Sequence, residues 1–255
     1  MAGPSVQFYY GASGFSFIIF LGIFLFSPWI SKLFSSKYIQ LSIKDQINWD
    51  TRIGSNIHAV IATTISLYAF FFDEATLKDH FCTESVIVRS GISITFGYIL
   101  ADFFIILWYY HYFQDVFMVI HHIMALIAYV FVMIYGYLLF FANIRQIAEL
   151  STPFVNQRWF YDITGQPRSS KQFIRNGLLM ILAFFLGRMV FIPYFYYKTF
   201  SVWSHPQRQN VGNLLCFLWI STAGILDVIN VYWFSKMLKG GAKLLLKPGQ
   251  EKKSE

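Results

Sequence analysis

Residues 115–134 read DVFMVIHHIMALIAYVFVMI. After Asp115 the stretch holds no carboxylate, Lys or Arg, and its only groups that ordinarily titrate near neutral pH are the adjacent His121 and His122. A bilayer core about 30 Å thick is crossed by about 20 mostly apolar residues, so this segment predicts a transmembrane helix. Two imidazoles inside such a helix are costly to keep there, which makes them candidates for a task as well as for packing. Imidazole is also the side chain best suited to moving protons near neutral pH.

Working outward, six more stretches of similar character give seven predicted spans, at 13–30, 52–72, 91–109, 116–134, 137–158, 173–197 and 212–236. The fourth and fifth are separated only by a turn around Tyr135 to Tyr137, which predicts a tight antiparallel hairpin. Composition agrees, with 56% of the 255 residues hydrophobic and only 13% charged. Soluble domains carry about a quarter charged residues. The expected fold class is therefore an all-α polytopic membrane protein, a seven-helix bundle around a polar cavity open toward the cytosol. No Lys or Arg precedes the first apolar run, so that run is expected to be a retained helix and not a cleaved signal.

The net charge of +7 does not point to nucleic acid, because the basic residues sit in loops between apolar runs. Membrane lipids are the expected partners. Lys32, Lys37, Lys44, Arg52, Arg158, Arg168, Lys171, Arg175, Lys236, Lys239, Lys243, Lys247, Lys252 and Lys253 fall on one side of a seven-helix topology. Only Lys78, Arg89, Lys198 and Arg208 fall on the other. The bias predicts a cytosolic C-terminus. Lys252 and Lys253 have the spacing of a dilysine retrieval signal, which predicts a multi-pass protein of the endoplasmic reticulum membrane.

This topology sets the buried polar groups in depth, at about 1.5 Å per residue. His58, Asp102, His121, His122, Glu149, Asp227 and Asn230 all fall about 8–13 Å from the cytosolic side, with Asn156 nearer the surface. Five helices thus carry ionisable groups at one level, as a shared cavity requires. Arg145, Glu149, Thr152 and Asn156 recur on one helical face, and Arg145 and Glu149 can pair at i, i+4. Pro153 removes a backbone hydrogen bond there and predicts a kink. Arg188 is expected nearer the lumenal side, paired or snorkelling. Cys82 and Cys216 are not expected to form a disulfide. No His-x-x-x-His spacing and no cysteine cluster occurs, so neither a metal nor another cofactor is expected. A receptor reading fails for want of Asp-Arg-Tyr, Asn-Pro-x-x-Tyr and any glycosylation sequon.

The order of motifs resembles the TLC-domain family, whose best-known members are the ceramide synthases. Its marks are NWDTRIGSNIHA (48–59), FFDEAT (71–76), GYILAD (97–102), DVFMVIHH (115–122), NIRQIAELSTPFVNQRWF (143–160) and LDVIN (226–230). The resemblance implies a TLC domain at 47–238, preceded by an N-terminal helix and cytosolic loop (1–46) and followed by a basic cytosolic tail (239–255). It implies a protein of lipid homeostasis, connected with sphingolipids, that binds or modifies membrane lipids in an intramembrane cavity. The alternative it implies is an acyl-CoA-dependent lipid N-acyltransferase. There His121 or His122 would be base or nucleophile, and Asp102, Glu149 or Asp227 would orient it or take a proton. His58, Arg145, Asn156 and Asn230 would line the cavity. The chain departs from the ceramide synthases after Ala148, where one carboxylate, Glu149, stands in place of their His-Asp and further Asp. The oligomeric state is left open, a dimer included.

Overall fold

The computed structural model describes residues 4–82 and 84–246. The dilysine pair Lys252–Lys253 lies outside the described residues. Six helical segments are long and apolar enough to cross a membrane. They are α1 (Val6–Phe34), α2 (Ile43–Phe72), α3 (Val86–Trp108), α4 (Val116–Tyr135), the segment Lys171–Ser201, and the last helix, Arg208–Leu246. Large apolar side chains such as Phe15, Trp29, Leu33, Phe71 and Trp108 stand exposed on their outer faces. In a bilayer these faces meet lipid.

The starts of these helices are written locally. Ser85 accepts from the Val88 amide at 3.2 Å and Asp115 from the Met118 amide at 3.1 Å, each supplying an acceptor to an otherwise unpaired helix donor. At its far end α4 stops at Gly136, whose φ of 71° suits a residue without Cβ and whose amide closes on Val132 O at 2.9 Å. Arg89 covers the freed carbonyls, donating to Met133 O at 2.9 Å and Ile134 O at 2.7 Å while stacking over Tyr9. A cation at a helix C-terminus is the favourable sign. The turn at 136–138 is as tight as the sequence predicts.

Helix α1 lies in close contact with α3. Gly97 has no Cβ, and one built there would run into the Ser13 backbone. Ser13 and Ser16 then donate to Ser93 O at 3.0 Å and Ile94 O at 2.7 Å. Small residues allow this approach and short hydroxyls satisfy polar groups across it.

The predicted span 137–158 is not one helix. It is α5 (Leu139–Gln146), a 3₁₀ turn (Ile147–Ser151) and α6 (Thr152–Ile163), and it is not among the six apolar spans. Asn143, Arg145, Gln146 and Glu149 lower its apolar content. Pro153 sits at the start of α6, where its missing N–H costs nothing, and not in the middle of a kinked helix. The segment still runs the length of the bundle. Leu138 N donates to Phe81 O in the loop after α2, while Lys37 from the loop after α1 donates to Thr164 O just beyond α6. Leu139, Phe140, Phe141, Ile144 and Ile147 are almost wholly buried, so α5 is a central strut. Polar and irregular backbone at membrane depth is tolerated where protein surrounds it.

The sixth predicted span is interrupted as well: α7 (Lys171–Phe184) passes through a π turn (Phe185–Met189) into α8 (Phe191–Ser201). The last helix, α9 (Arg208–Leu246), is broken at Gly212. Lys44, in the predicted cytosolic loop (1–46), and Arg52, at the start of the predicted span 52–72, both lie within α2.

Candidate functional site

The π turn and the 3₁₀ turn lie side by side. A Cβ at Gly187 would come 3.0 Å from Ile147 O, so the glycine is what lets the two irregular segments touch. Between them stands Arg188. Its Nε donates to Ala148 O and to Ser151 Oγ, both at 3.2 Å, and its Nη1 donates to Asn230 Oδ1 at 2.8 Å. It neither snorkels nor lies toward the opposite end, because its donors are taken by Ala148 O, Ser151 Oγ and Asn230 Oδ1. Sequence reading missed this arginine as a site residue. The nearest signal was an arginine with no i±4 acid inside an apolar run.

Arg188 stands on the wall of a cavity of about 1280 Å³, its open mouth included. One wall is α4, whose residues His121, Ala125, Tyr129, Val132 and Tyr135 share a face. His121 to Tyr135 spans about 21 Å at 1.5 Å per residue. The polar end gathers His121, Thr95, Arg145, Glu149, Arg188 and Asn230. Toward Tyr135 and Leu138 the lining is mostly apolar and includes Phe141, Phe195 and Trp219, whose rings pack edge to face.

Of the nine residues singled out from the sequence, His121, Arg145, Glu149 and Asn230 line this cavity. The other five stand behind it, so the ionisable groups at one depth do not all share one space. His122 is buried and turned toward α3, its Nε2 2.9 Å from Asp102 Oδ2 and its Nδ1 2.8 Å from Met118 O. Both ring nitrogens thus face acceptors. A neutral imidazole has a single N–H, so it donates to only one of the two at a time. Successive residues on a helix point about 100° apart, and His121 accordingly lines the cavity, against Trp233, with its buried Nδ1 finding no hydrogen-bond partner among the described residues.

Arg145 does not pair with Glu149 four residues on. It forks onto the Asp227 carboxylate of α9, with Nη2 to Oδ2 at 3.0 Å, and stacks over Phe195. The broken helix explains this, since the 3₁₀ turn shifts Glu149 off the α5 face. Glu149 instead has His58 Nδ1 at 3.9 Å. His58 is fully buried, stacked on Tyr98, with Nε2 3.1 Å from Thr95 Oγ1, and Gln146 donates to the same hydroxyl at 2.8 Å. Asn156 joins α6 to α2, accepting from Arg52 at 2.7 Å and donating to Ser55 and Asn56. Among the described residues no group of three His, Cys, Asp or Glu side chains is arranged to hold a metal ion.

The TRAM_LAG1_CLN8 family model, described as the TLC domain, matches residues 48–239. The chain is 37% identical to TLC domain-containing protein 4 of Homo sapiens over 238 residues, 93% of this chain and 90% of the human one. It is likewise 37% identical to TLC domain-containing protein 4-A of Xenopus laevis over 219 residues, 86% and 85% of the two chains. An uncharacterized TLC domain-containing protein of Schizosaccharomyces pombe is 30% identical over 219 residues, 84% of this chain and 72% of that one. No solved structure matches the chain.

Proposed function

The chain belongs to the TLC domain family, and from that premise we propose that it is a lipid-binding or lipid-modifying protein of membrane homeostasis, holding one lipid in the cavity along α4. The observation that carries this reading is the cavity's polarity: a wall about 21 Å long from His121 to Tyr135, close to the length of a long acyl chain and mostly apolar, with His121, Glu149, Arg188 and Asn230 gathered at one end. An apolar pocket with a few convergent polar groups is what ligand sites look like. The tail lies against Tyr129, Val132 and Leu215, and the head meets the donors of Arg188 and the acceptor of Glu149. The protein sits in the endoplasmic reticulum membrane with seven crossings, α5 to α6 being the fifth, and the basic end, with the C-terminus, faces the cytosol. The cavity mouth belongs to that end. The charge bias of the loops supports this orientation.

A second reading is acyl transfer from acyl-CoA to a lipid amine, with sphingoid bases as the substrate class. His121 favours it, since the residue lines the cavity beside the His122–Asp102 pair and its buried Nδ1 has no hydrogen-bond partner among the described residues. His121 would take the proton of the attacking amine as the new C–N bond forms and the C–S bond of the thioester breaks, the thiolate leaving as thiol.

Native mass spectrometry of the detergent-purified full chain tests both. The wild type is expected to retain one lipid, and Ala128→Trp, which fills the cavity, to lose it. Retention by the filled variant would overturn the binding reading. With long-chain acyl-CoA and an amine, amide product that disappears in His121→Ala and in Asp102→Asn, while bound lipid persists, would establish transfer; unchanged product in both would remove these residues from it.

A further inference from the structure

Away from the main cavity, at the basic end of the bundle, α7 and α9 diverge to leave a crevice of about 750 Å³, its open side included. Ile174, Leu178, Ile181 and Met237 form its walls, and among the described residues no Asp or Glu lines it. Two cations do: Arg158 from α6 and Lys236 from α9.

Each cation is held in position without being neutralised. The Arg158 guanidinium stacks over Phe173 at 3.6 Å, and only its Nε is taken by Asp162, at 3.3 Å. That single carboxylate also accepts from Arg168 at 3.2 Å, so two arginines share one negative charge. The Nη1 of Arg158 lies 3.5 Å from where a Cβ at Gly177 would stand. The glycine therefore leaves the crevice floor open to the guanidinium. The Lys236 ammonium rests over the Tyr232 ring at 4.3 Å and has no carboxylate partner among the described residues.

We propose that this crevice is a binding site for the phosphate-bearing head group of an anionic glycerophospholipid from the adjoining leaflet. The phosphate lies between the Arg158 fork and the Lys236 ammonium, a geometry that suits an oxyanion. One acyl chain follows the apolar wall from Ile174 to Ile181, parallel to α7. The crevice stands where α7 begins and α9 approaches its end, at the level where head groups meet helix ends. Basic crevices between transmembrane helices fit anionic head groups. A zwitterionic head group brings its own cation against both side chains and is disfavoured. The site is separate from the α4 cavity and does not depend on what that cavity does.

The test is native mass spectrometry of the full-length protein in neutral detergent, titrated with phosphatidylinositol and, separately, phosphatidylcholine. Phosphatidylinositol is expected to bind at one saturable site. Arg158→Gln with Lys236→Gln is expected to weaken it about tenfold or more. Lys44→Gln with Lys171→Gln removes the same charge at exposed positions outside the crevice and is expected to leave binding intact. Gly177→Leu closes the floor at constant charge and should abolish binding. Lys236→Gln alone, at an exposed position, serves should an Arg158 variant fail to fold. Equal binding of the two lipids, or equal loss in both double variants, would overturn the proposal. Displacement of phosphatidylinositol by inorganic phosphate alone, without any contribution from the acyl chains, would also overturn it.

Discussion

Arg145 and Asp227, 82 residues apart in the chain, meet as a two-bonded fork that ties the central strut α5 to the last long helix. Both side chains are largely buried, and an aromatic ring lies against the guanidinium. Removing one partner strands the other charge. Arg145→Met or Asp227→Leu alone is expected to destabilise the protein by about 3–5 kcal/mol, and the two together to recover most of that loss. Thermal unfolding of the detergent-purified variants reads this directly. Additive losses in the double variant would show that the two residues act independently.

The contact between α1 and α3 gives a sharper steric expectation. At Gly97 an added side chain meets the Ser13 backbone and Ser16, neither of which can swing away. Gly97→Val is expected to cost at least about 1–3 kcal/mol. Gly11, in the same helix pair, has nothing within 4 Å of its missing Cβ. Gly11→Ala should be neutral or gain about 0.5–1 kcal/mol through a stiffer unfolded chain. If both variants shift the melting temperature alike, close approach is not what Gly97 provides.

The loop between α2 and α3 should respond to pH. Burial, and then Lys198, hold His80 below the usual imidazole range against the pull of Asp79. The unfolded chain therefore takes up a proton before the folded loop does, and stability falls as the pH drops through about 6.5. For Asp79, burial raises the carboxyl, but the amides of Cys82 and Phe81, with His205 and His80, outweigh it and hold it below the usual carboxylate range. Its contribution is complete above about pH 3.9 and is lost as the pH falls through its lower folded value. Hydrogen exchange of the Phe81 and Cys82 amides, corrected for intrinsic rate, should quicken from pH 7.5 to 5.5. His80→Gln should flatten that change. An unchanged slope in the variant would assign the response to another group.

Much of the fold is legible in the residues themselves. Runs of apolar side chains mark the spans and the short break around Tyr135 to Tyr137 marks the hairpin, because each of these signals is local; the cap at Ser85, which starts α3 five residues before the predicted span, is missed by reading apolar runs alone. The candidate site is legible only in part. His121 and His122 are adjacent in sequence, yet helix rotation turns one into the cavity and the other toward Asp102. The Arg145 side chain has an acid at i+4 but takes a partner in another helix, because the 3₁₀ turn that moves Glu149 aside is stabilised by Gly187 in a distant segment. Arg188 gave no pattern at all. Its role depends on acceptors in two other segments, Ala148 O in that same turn and Asn230 Oδ1 in α9. Local rules see caps and periodicity; they do not see which backbone irregularities will lie together.

The broken fifth segment has a consequence for the order in which this protein can be made. Too polar to enter lipid as a free helix, it must be sheltered at first by α2, α3 and α4, which precede it along the chain. During synthesis Arg145 emerges well before Asp227, so its charge has no counter-ion until α9 is delivered. The nascent bundle is thus incomplete in an electrostatic sense until its last helix docks. The C-terminal helix acts as the closing member of an assembly that cannot mature from its N-terminal part alone.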